Sequence, residues 1–437
     1  MMRFNRESGR SSVSFRRASV ALLGVAALAV TACGSSDSKS TTSSGGTTTA
    51  AEPKAPKSTA PLVIANLEGP AADGGPDFTS GMLVAQKNIN DAGGVDGRMI
   101  EIKKFAKGLT PQESQQAYRE AGADPTVLTA WLGGGGGNAL KTQADRVKLP
   151  FFSANGVTSV YTPANPWAFA LSLGGEYATS ALTQTIANDP KIKKIGVLHF
   201  ETDFSNGLTP ALTERCKDLG CEIVAEETAA IDASVDSLIP QLTKLKNSGA
   251  DAYYIECLNP NANIAAVQLG MNDKPRMCEQ WQAVPFLATA AGKAGEGVVF
   301  GGHKCVGSTT GLIPADDPVK KWCDKYVADW KVMFPDKAAN FSNFSVYGSD
   351  AVVIFADAAG QLIKAGKEVN RETLRAQYET YDGKGLQTSH GFVTSSPTDH
   401  LMTGTWTEAY VNYTTKMAGK NATYILAPGA DPNGATP

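Results

Sequence analysis

The sequence predicts an α/β protein built as two doubly wound lobes, each around a parallel central sheet. Three observations carry this expectation. From Leu62 onward, short apolar runs alternate with longer amphipathic segments, which is the pattern of paired strands and helices. Strands linked by single helices pair in parallel through right-handed crossovers. The strands number about ten, and an open sheet of that size tends to split into two.

Residues 62–67 read as the first strand and 79–92 as a helix, with Met82, Ala85 and Ile89 on one face and Gly93-Gly94 ending it. Asp96-Gly97 is a turn before a strand at 99–105. Thr110-Pro111-Gln112-Glu113 is a capping box with proline at the first helical position, opening a helix to about Ala121. Strands at 127–132 and 149–153 flank a helix that follows Asn138. The pattern repeats, with strands at 195–200, 223–226, 252–257, 276–279 and 298–301 between helices near Glu176, Leu208, Val235, Asn263 and Phe286. Long helices are expected at 319–334 and 344–365; the second has little polar face and belongs between neighbours. Residues 386–394 turn extended, and 401–413 read as a terminal strand or hairpin.

The first 60 residues are not part of this fold. Arg3, Arg6, Arg10, Arg16 and Arg17 precede an apolar stretch from Ala18 to Val30, too short for a membrane-spanning helix and suited to an export signal. Val30-Thr31-Ala32-Cys33 resembles a bacterial lipobox, which implies cleavage after residue 32 and a lipid on the Cys33 sulfur. Residues 33–60 are mostly Ser, Thr, Gly, Ala, Pro and Lys with almost nothing to bury, and are expected to form a disordered tether. The export route, general secretory or twin-arginine, stays open.

The chain of 437 residues has 42% hydrophobic side chains and 44 glycines, which argues against a disordered, collagenous or many-span membrane protein. Its 40 Lys and Arg against 43 Asp and Glu leave no basic excess to neutralise phosphates, so nucleic acid is not an expected partner. Beyond Cys33 stand six cysteines: Cys216, Cys221, Cys257, Cys278, Cys305 and Cys323. An even number in an exported chain reads as disulfides, and among the connectivities open to them pairing of sequence neighbours is expected. Cys257 and Cys278 close successive strands, which a parallel arrangement brings together. His199, His303, His390 and His400 lack ligand spacing, and no metal or cofactor is expected.

In open α/β sheets ligands bind at the carboxyl ends of strands. The candidate loops are 68–77, 133–138, 154–161, 201–206, 258–263 and 280–282. Five glycines from Gly133 to Gly137 expose backbone N–H groups at a helix N-terminus, where they could hold a carboxylate. The Gly-Lys-Ser/Thr ending of a phosphate loop is missing, and Asn138 stands where a dinucleotide fingerprint needs glycine. No Gly-x-Ser-x-Gly elbow occurs, and His199 at a strand end is better explained by packing than by catalysis. The chain is therefore not expected to be an enzyme.

Leu67-Glu68-Gly69-Pro70-Ala71-Ala72, the segment Ile89 to Arg98 with Gly93-Gly94 and Gly97-Arg98, Leu149-Pro150-Phe151-Phe152-Ser153 and Gly249-Ala250-Asp251-Ala252 resemble the type I periplasmic binding proteins of the leucine/isoleucine/valine group. The resemblance runs from about Leu62 to Tyr410. It implies Rossmann-like lobes joined by three crossovers, lobe one at 61–173 and 306–385, lobe two at 174–305 and 386–430. It also implies a ligand-contact set by position: Gly74 at the first-loop aromatic, Gly134 and Gly135 at the carboxylate-binding loop, Asn155, Gly156, Val157 and Thr158 at the next contact, Asp203 and Phe204 at an acid-tyrosine pair, and Asn261 at the ammonium-binding acid. Glu256, Gln280 and Trp281 are further polar and aromatic candidates. These replacements remove charge and hydroxyls, which counts against a standard α-amino acid. The function implied is a tethered, monomeric, extracytoplasmic solute-binding protein that closes on a small organic ligand (amino acid, amide or aromatic acid) and passes it to an ABC permease. The alternative is a ligand-sensing receptor ectodomain of the same fold acting through a separate partner protein.

Overall fold

The computed structural model describes residues 58–154, 158–172, 176–202, 204–308, 310–403 and 406–435. The expected export signal, Cys33 and the tether up to residue 57 lie outside them. The strands are β1 (Leu62–Glu68), β2 (Ile100–Ala106), β3 (Val127–Leu132), β4 (Phe151–Ser153), β5 (Ala168–Ala170), β6 (Lys194–Phe200), β7 (Glu222–Ala229), β8 (Ala252–Ile255), β9 (Arg276–Cys278), β10 (Val299–His303), β11 (Asp382–Thr388), β12 (Gly391–Thr394), β13 (Tyr410–Ala418) and β14 (Asn421–Leu426).

The first five strands form a parallel sheet in the order β2-β1-β3-β4-β5. The second sheet runs β14-β13-β10-β9-β8-β6-β7, parallel from β7 to β10 and extended at the other edge by antiparallel β13 and β14. Without that extension the two sheets share one winding order. β11 and β12 make a separate antiparallel hairpin.

The central strand β1 shows why the sheet is parallel and covered. Leu62 and Ile64 face one apolar layer with Phe78 and Met82 of the Gly75–Asp91 helix. Val63, Ala65 and Leu67 face another with Ala117, Tyr118 and Ala121 of the Pro111–Ala123 helix. Alternate side chains thus meet opposite layers, and a strand buried on both sides reads as an unbroken apolar run. The capping box is formed: the Glu113 N–H donates to Thr110 Oγ1 and the Thr110 N–H donates to Glu113 Oε2 at 3.0 Å.

The Asn343–Lys364 helix is long and apolar enough to cross a membrane, but it is a core helix packed along the Gly75–Asp91 helix. Its hydropathy reflects burial from several sides. Pairing of the six cysteines is between neighbours, Cys216–Cys221, Cys257–Cys278 and Cys305–Cys323. The middle bridge joins the ends of β8 and β9, which are parallel neighbours. His303 lies beside the third bridge, whose sulfurs are spent on each other rather than free as metal-binding thiolates.

Two stretches differ from the sequence reading. β5 has no counterpart in it, because Ala-Phe-Ala is too short to show a period and forms by pairing with β4. Among the described residues of 401–409 there is no strand: Leu401 and Thr403 make isolated bridges, Trp406–Ala409 is a helical turn, and the terminal hairpin is β13–β14, turning at Gly419 with φ 65°. The reason is tertiary. The Ala170 N–H donates to the His400 carbonyl at 2.9 Å and the Met402 N–H to the Ala170 carbonyl at 2.8 Å, holding this segment to β5. Val393 and Met402 also pack in the core with the first sheet. Met402 thus still packs beside the first sheet, and Tyr410 pairs in the second.

Candidate functional site

In each sheet the winding reverses once, between β1 and β3 in the first and between β6 and β8 in the second. Loops leaving adjacent strands at such a point part in opposite directions and open a crevice. A cavity of about 340 Å³ joins the two crevices. Asp73, Gly134, Gly135 and Gly136 line it from the first sheet, and Glu201, Thr202, Phe204 and Leu258 from the second. Phe78, Phe344, Tyr347 and Gln280 complete an aromatic and polar wall, while Leu109 and Ile231, 64% and 42% exposed, add apolar surface from the two sides. A second hollow of about 500 Å³ along the edge strand β7 is an open groove bordered by Lys217, Glu222 and Glu226 and away from the strand carboxyl ends.

One donor of the glycine loop is already engaged within the protein. Asp73 Oδ1 receives the Gly135 N–H at 3.0 Å, and Oδ2 pairs with Lys107 Nζ, which also donates to the Gly135 carbonyl at 3.2 Å. The Lys107 side chain is 1% exposed, so this is a buried pair. Burial pushes the Asp73 carboxyl above its ordinary range, against the pull of Lys107. Gly134, at φ 77°, has no Cβ where the Asp73 carboxylate lies; one built there would fall 2.2 Å from Oδ1.

Gly74 serves by absence too. Its φ is 71°, and a Cβ there would come within 2.7 Å of the Phe344 ring. Phe344 instead stacks on Phe78, with ring centroids 4.6 Å apart, so the aromatic wall comes from the Gly75–Asp91 and Asn343–Lys364 helices and not from the first loop.

Glu256 is fully buried and does not line the cavity. It receives the Phe200 N–H at 2.7 Å and the Ser205 hydroxyl at 2.6 Å, fixing the loop that carries Thr202 and Phe204. Burial pushes its carboxyl up to about 7. Its buried neighbour Glu279 is raised further by burial and by the charge on Glu256, and accepts the Cys257 N–H. Asn261 also points elsewhere: Nδ2 donates to the Ala233 carbonyl at 3.1 Å. Asn259 Nδ2 donates to the carbonyls of Ile231 and Ala233 at 3.0 and 2.8 Å. Together they latch the loop that brings Ile231 to the cavity.

Gln280 lines the cavity as expected, and its orientation is fixed by a chain of bonds. The His303 backbone N–H can only donate, and it donates to Asn343 Oδ1 at 3.0 Å. Asn343 Nδ2 must then donate to Gln280 Oε1 at 3.1 Å, where the Tyr347 hydroxyl also donates at 2.9 Å. The amide nitrogen of Gln280 is left as the donor this side chain offers the cavity. Tyr347 in turn meets the Tyr410 hydroxyl at 2.5 Å, Tyr410 meets His390 Nε2 at 2.9 Å, and His390 Nδ1 meets Asp350 at 2.6 Å.

Phe204 lines the cavity; Asn155, Gly156, Val157 and Asp203, with the side chains of Thr158 and Trp281, lie outside the described residues. His199 is satisfied by Glu226 Oε1 at 2.9 Å and the Thr228 hydroxyl at 3.2 Å, and is not part of the cavity wall. The sequence reading missed Asp73, Lys107, Phe344 and Tyr347. Lys107 directly follows β2, at a strand carboxyl end that the loop search omitted, so the signal was present. Phe344 and Tyr347 had none, because their helix reads as core throughout.

Two matching doubly wound sheets whose switch points meet at one cavity define a two-lobed ligand-binding fold. Residues 63–419 match the profile of a family described as periplasmic binding protein, and the chain belongs to that family. It is 24% identical over 349 residues to Leu/Ile/Val-binding protein homolog 1 of Brucella abortus, covering 75% of this chain and 87% of the relative. An extracellular ligand-binding receptor from Rhodopseudomonas palustris superposes with a TM-score of 0.69 at 19% identity, over 85% of this chain and all of the other. A Streptococcus pneumoniae LivJ in complex with isoleucine superposes with a TM-score of 0.64 at 18% identity, over 84% and 99%. At these identities the superpositions speak to the fold.

Proposed function

We propose that this protein is the extracytoplasmic, lipid-tethered solute-binding component of an ABC importer. In this reading Cys33 carries the lipid, residues 33–60 are the tether, and lobe closure captures a small organic ligand for delivery to a permease. The lobes would comprise residues 61–173 with about 306–403, and 174–305 with 410–430. The chain would act as a monomer without a cofactor, and not as an enzyme. The observation that carries the reading is the cavity formed where both switch points meet, with Leu109 on one side and Ile231 on the other. Both are exposed apolar side chains, and closing the lobes would remove them from water, a gain of order 1 to 2 kcal/mol each. The relatives named for Leu, Ile and Val, and for bound isoleucine, support the solute-binding role.

A thermal-shift screen of the purified protein over amino acids, amides, amines, aromatic acids and sugars tests this, followed by small-angle X-ray scattering on each hit. Ligand at a hundred times its dissociation constant stabilises by about 2.7 kcal/mol, and closure makes the particle more compact. A metabolite pool that neither stabilises nor compacts the protein would overturn the reading.

A further inference from the structure

The cavity wall carries charge of one sign. Among the described lining residues Asp73 and Glu201 are acids, and there is no Lys, Arg or His. One backbone donor of the glycine loop, Gly135 N–H, is already taken by Asp73. That arrangement is built into the chain: Gly69 and Gly134 both lack the Cβ that would collide with the Asp73 carboxylate, and the buried Lys107 holds it from behind. A carboxylate arriving in the cavity would find the Gly135 donor occupied and two carboxylates facing it, Asp73 offset by Lys107 and Glu201 without an ion pair among the described residues. A cation would find acceptors and, among the lining residues Phe78, Phe204, Phe344 and Tyr347, aromatic rings of the kind that attract positive charge. Gln280 adds an independent feature, since it is only 4% exposed and its amide nitrogen has no partner among the described residues. That donor calls for an acceptor oxygen on the ligand, which a hydroxyl or carbonyl supplies without a charge.

We propose that the cavity selects a small organic cation, an amine on an aromatic or similarly apolar body bearing a hydroxyl or carbonyl oxygen, and discriminates against ligands bearing a carboxylate. This deepens the solute-binding reading and rests on it. The charge of Glu201 draws the cation, Asp73 accepts from the ammonium, the rings enclose the body, and Gln280 donates to the neutral oxygen.

Three probes that differ only in charge test it: tyramine, L-tyrosine and 3-(4-hydroxyphenyl)propionate, titrated calorimetrically into the intact protein at pH 7. The expected result is binding of tyramine at least tenfold tighter than tyrosine and weakest binding of the acid. Glu201 has no side-chain ion pair among the described residues, so Glu201→Gln should leave the melting temperature unchanged while weakening tyramine roughly tenfold. Asp73→Asn should weaken it as well, with a loss of stability because Lys107 is left unpaired. The proposal is overturned if either carboxylate probe binds as tightly as tyramine, if tyramine does not bind, or if Glu201→Gln leaves its affinity unchanged. Carboxylate ligands that compact the protein while amines do not would sink the proposal alone. Failure of the whole metabolite pool to compact it would sink the solute-binding reading with it.

Discussion

Gly81 lies against the backbone of Ser345 so closely that a Cβ on it would fall 1.7 Å from the Ser345 carbonyl oxygen. Gly348, three residues further along the same long helix, approaches the Phe78 carbonyl in the same way, at 2.0 Å. These two glycines set the distance between the helices that carry Phe78 and Phe344, so the aromatic wall of the cavity depends on them.

Gly81→Ala and Gly348→Ala should each destabilise the protein by about 3 kcal/mol, because backbone atoms cannot yield as a side chain can. Gly385→Ala, where a Cβ would meet nothing within 4 Å, should stay within about 0.5 kcal/mol. Urea denaturation of the three variants checks this; equal stability of Gly81→Ala and the parent would show that the helices can separate freely.

The Glu256–Glu279 pair gives the protein a pH dependence of definite sign. Both carboxyls are raised above their unfolded value of 4.5 by burial, Glu256 to about 7. The folded state therefore binds more protons than the unfolded state between these values, and its stability falls as pH rises. The share of Glu256 is fully present below about pH 4.5 and lost as pH passes through about 7, and that of Glu279 is lost in the same direction. Glu256→Gln/Glu279→Gln keeps acceptors for Phe200 and Cys257 without a charge, so its stability should decline less than the parent's from pH 5 to pH 8. Parallel curves for the two proteins would contradict the assignment.

Tyr410→Phe should weaken ligand binding without removing any atom from the cavity wall. The Tyr410 hydroxyl joins His390 Nε2 to the Tyr347 hydroxyl, and Tyr347 with Asn343 fixes Gln280. Losing it costs about 1 to 3 kcal/mol of stability through the buried imidazole. Affinity should fall several-fold for ligands that use Gln280, which calorimetry on a hit from the screen would measure; unchanged affinity would mean that Tyr347 needs no support.

Asn259→Ala removes two hydrogen bonds to the loop carrying Ile231. A stability loss of about 1 to 2 kcal/mol is expected, together with faster proteolysis at residues 230–233 and a faster ligand off-rate. A loop no more susceptible than in the parent would place its anchorage elsewhere.

Much of the fold was legible in the sequence because its causes are local. The apolar run of β1, the Thr110 capping box and the glycines after Asp91 each follow from backbone geometry over a few residues. The sequence could also nominate the loops at the strand carboxyl ends, and it is there that Gly134, Gly135, Phe204 and Gln280 meet the cavity. It assigned Glu256 and Asn261 to ligand contacts by position, and packing turned both away to hold neighbouring loops.

By itself, then, the sequence determined the alternation of strands and helices and an even complement of cysteines suited to disulfides. Tertiary structure alone decided what fills the space between them. Asp73 meets Gly135 across 62 positions, Asn343 meets Gln280 across 63, and Ala170 meets His400 where the chain returns from the first sheet to the second. No periodicity links residues so far apart. Their contacts exist because the loops after β1 and β3 converge at the first sheet's switch point, because the returning chain lies along β5, and because glycines at 69, 74, 134, 81 and 348 leave the room that packing needs.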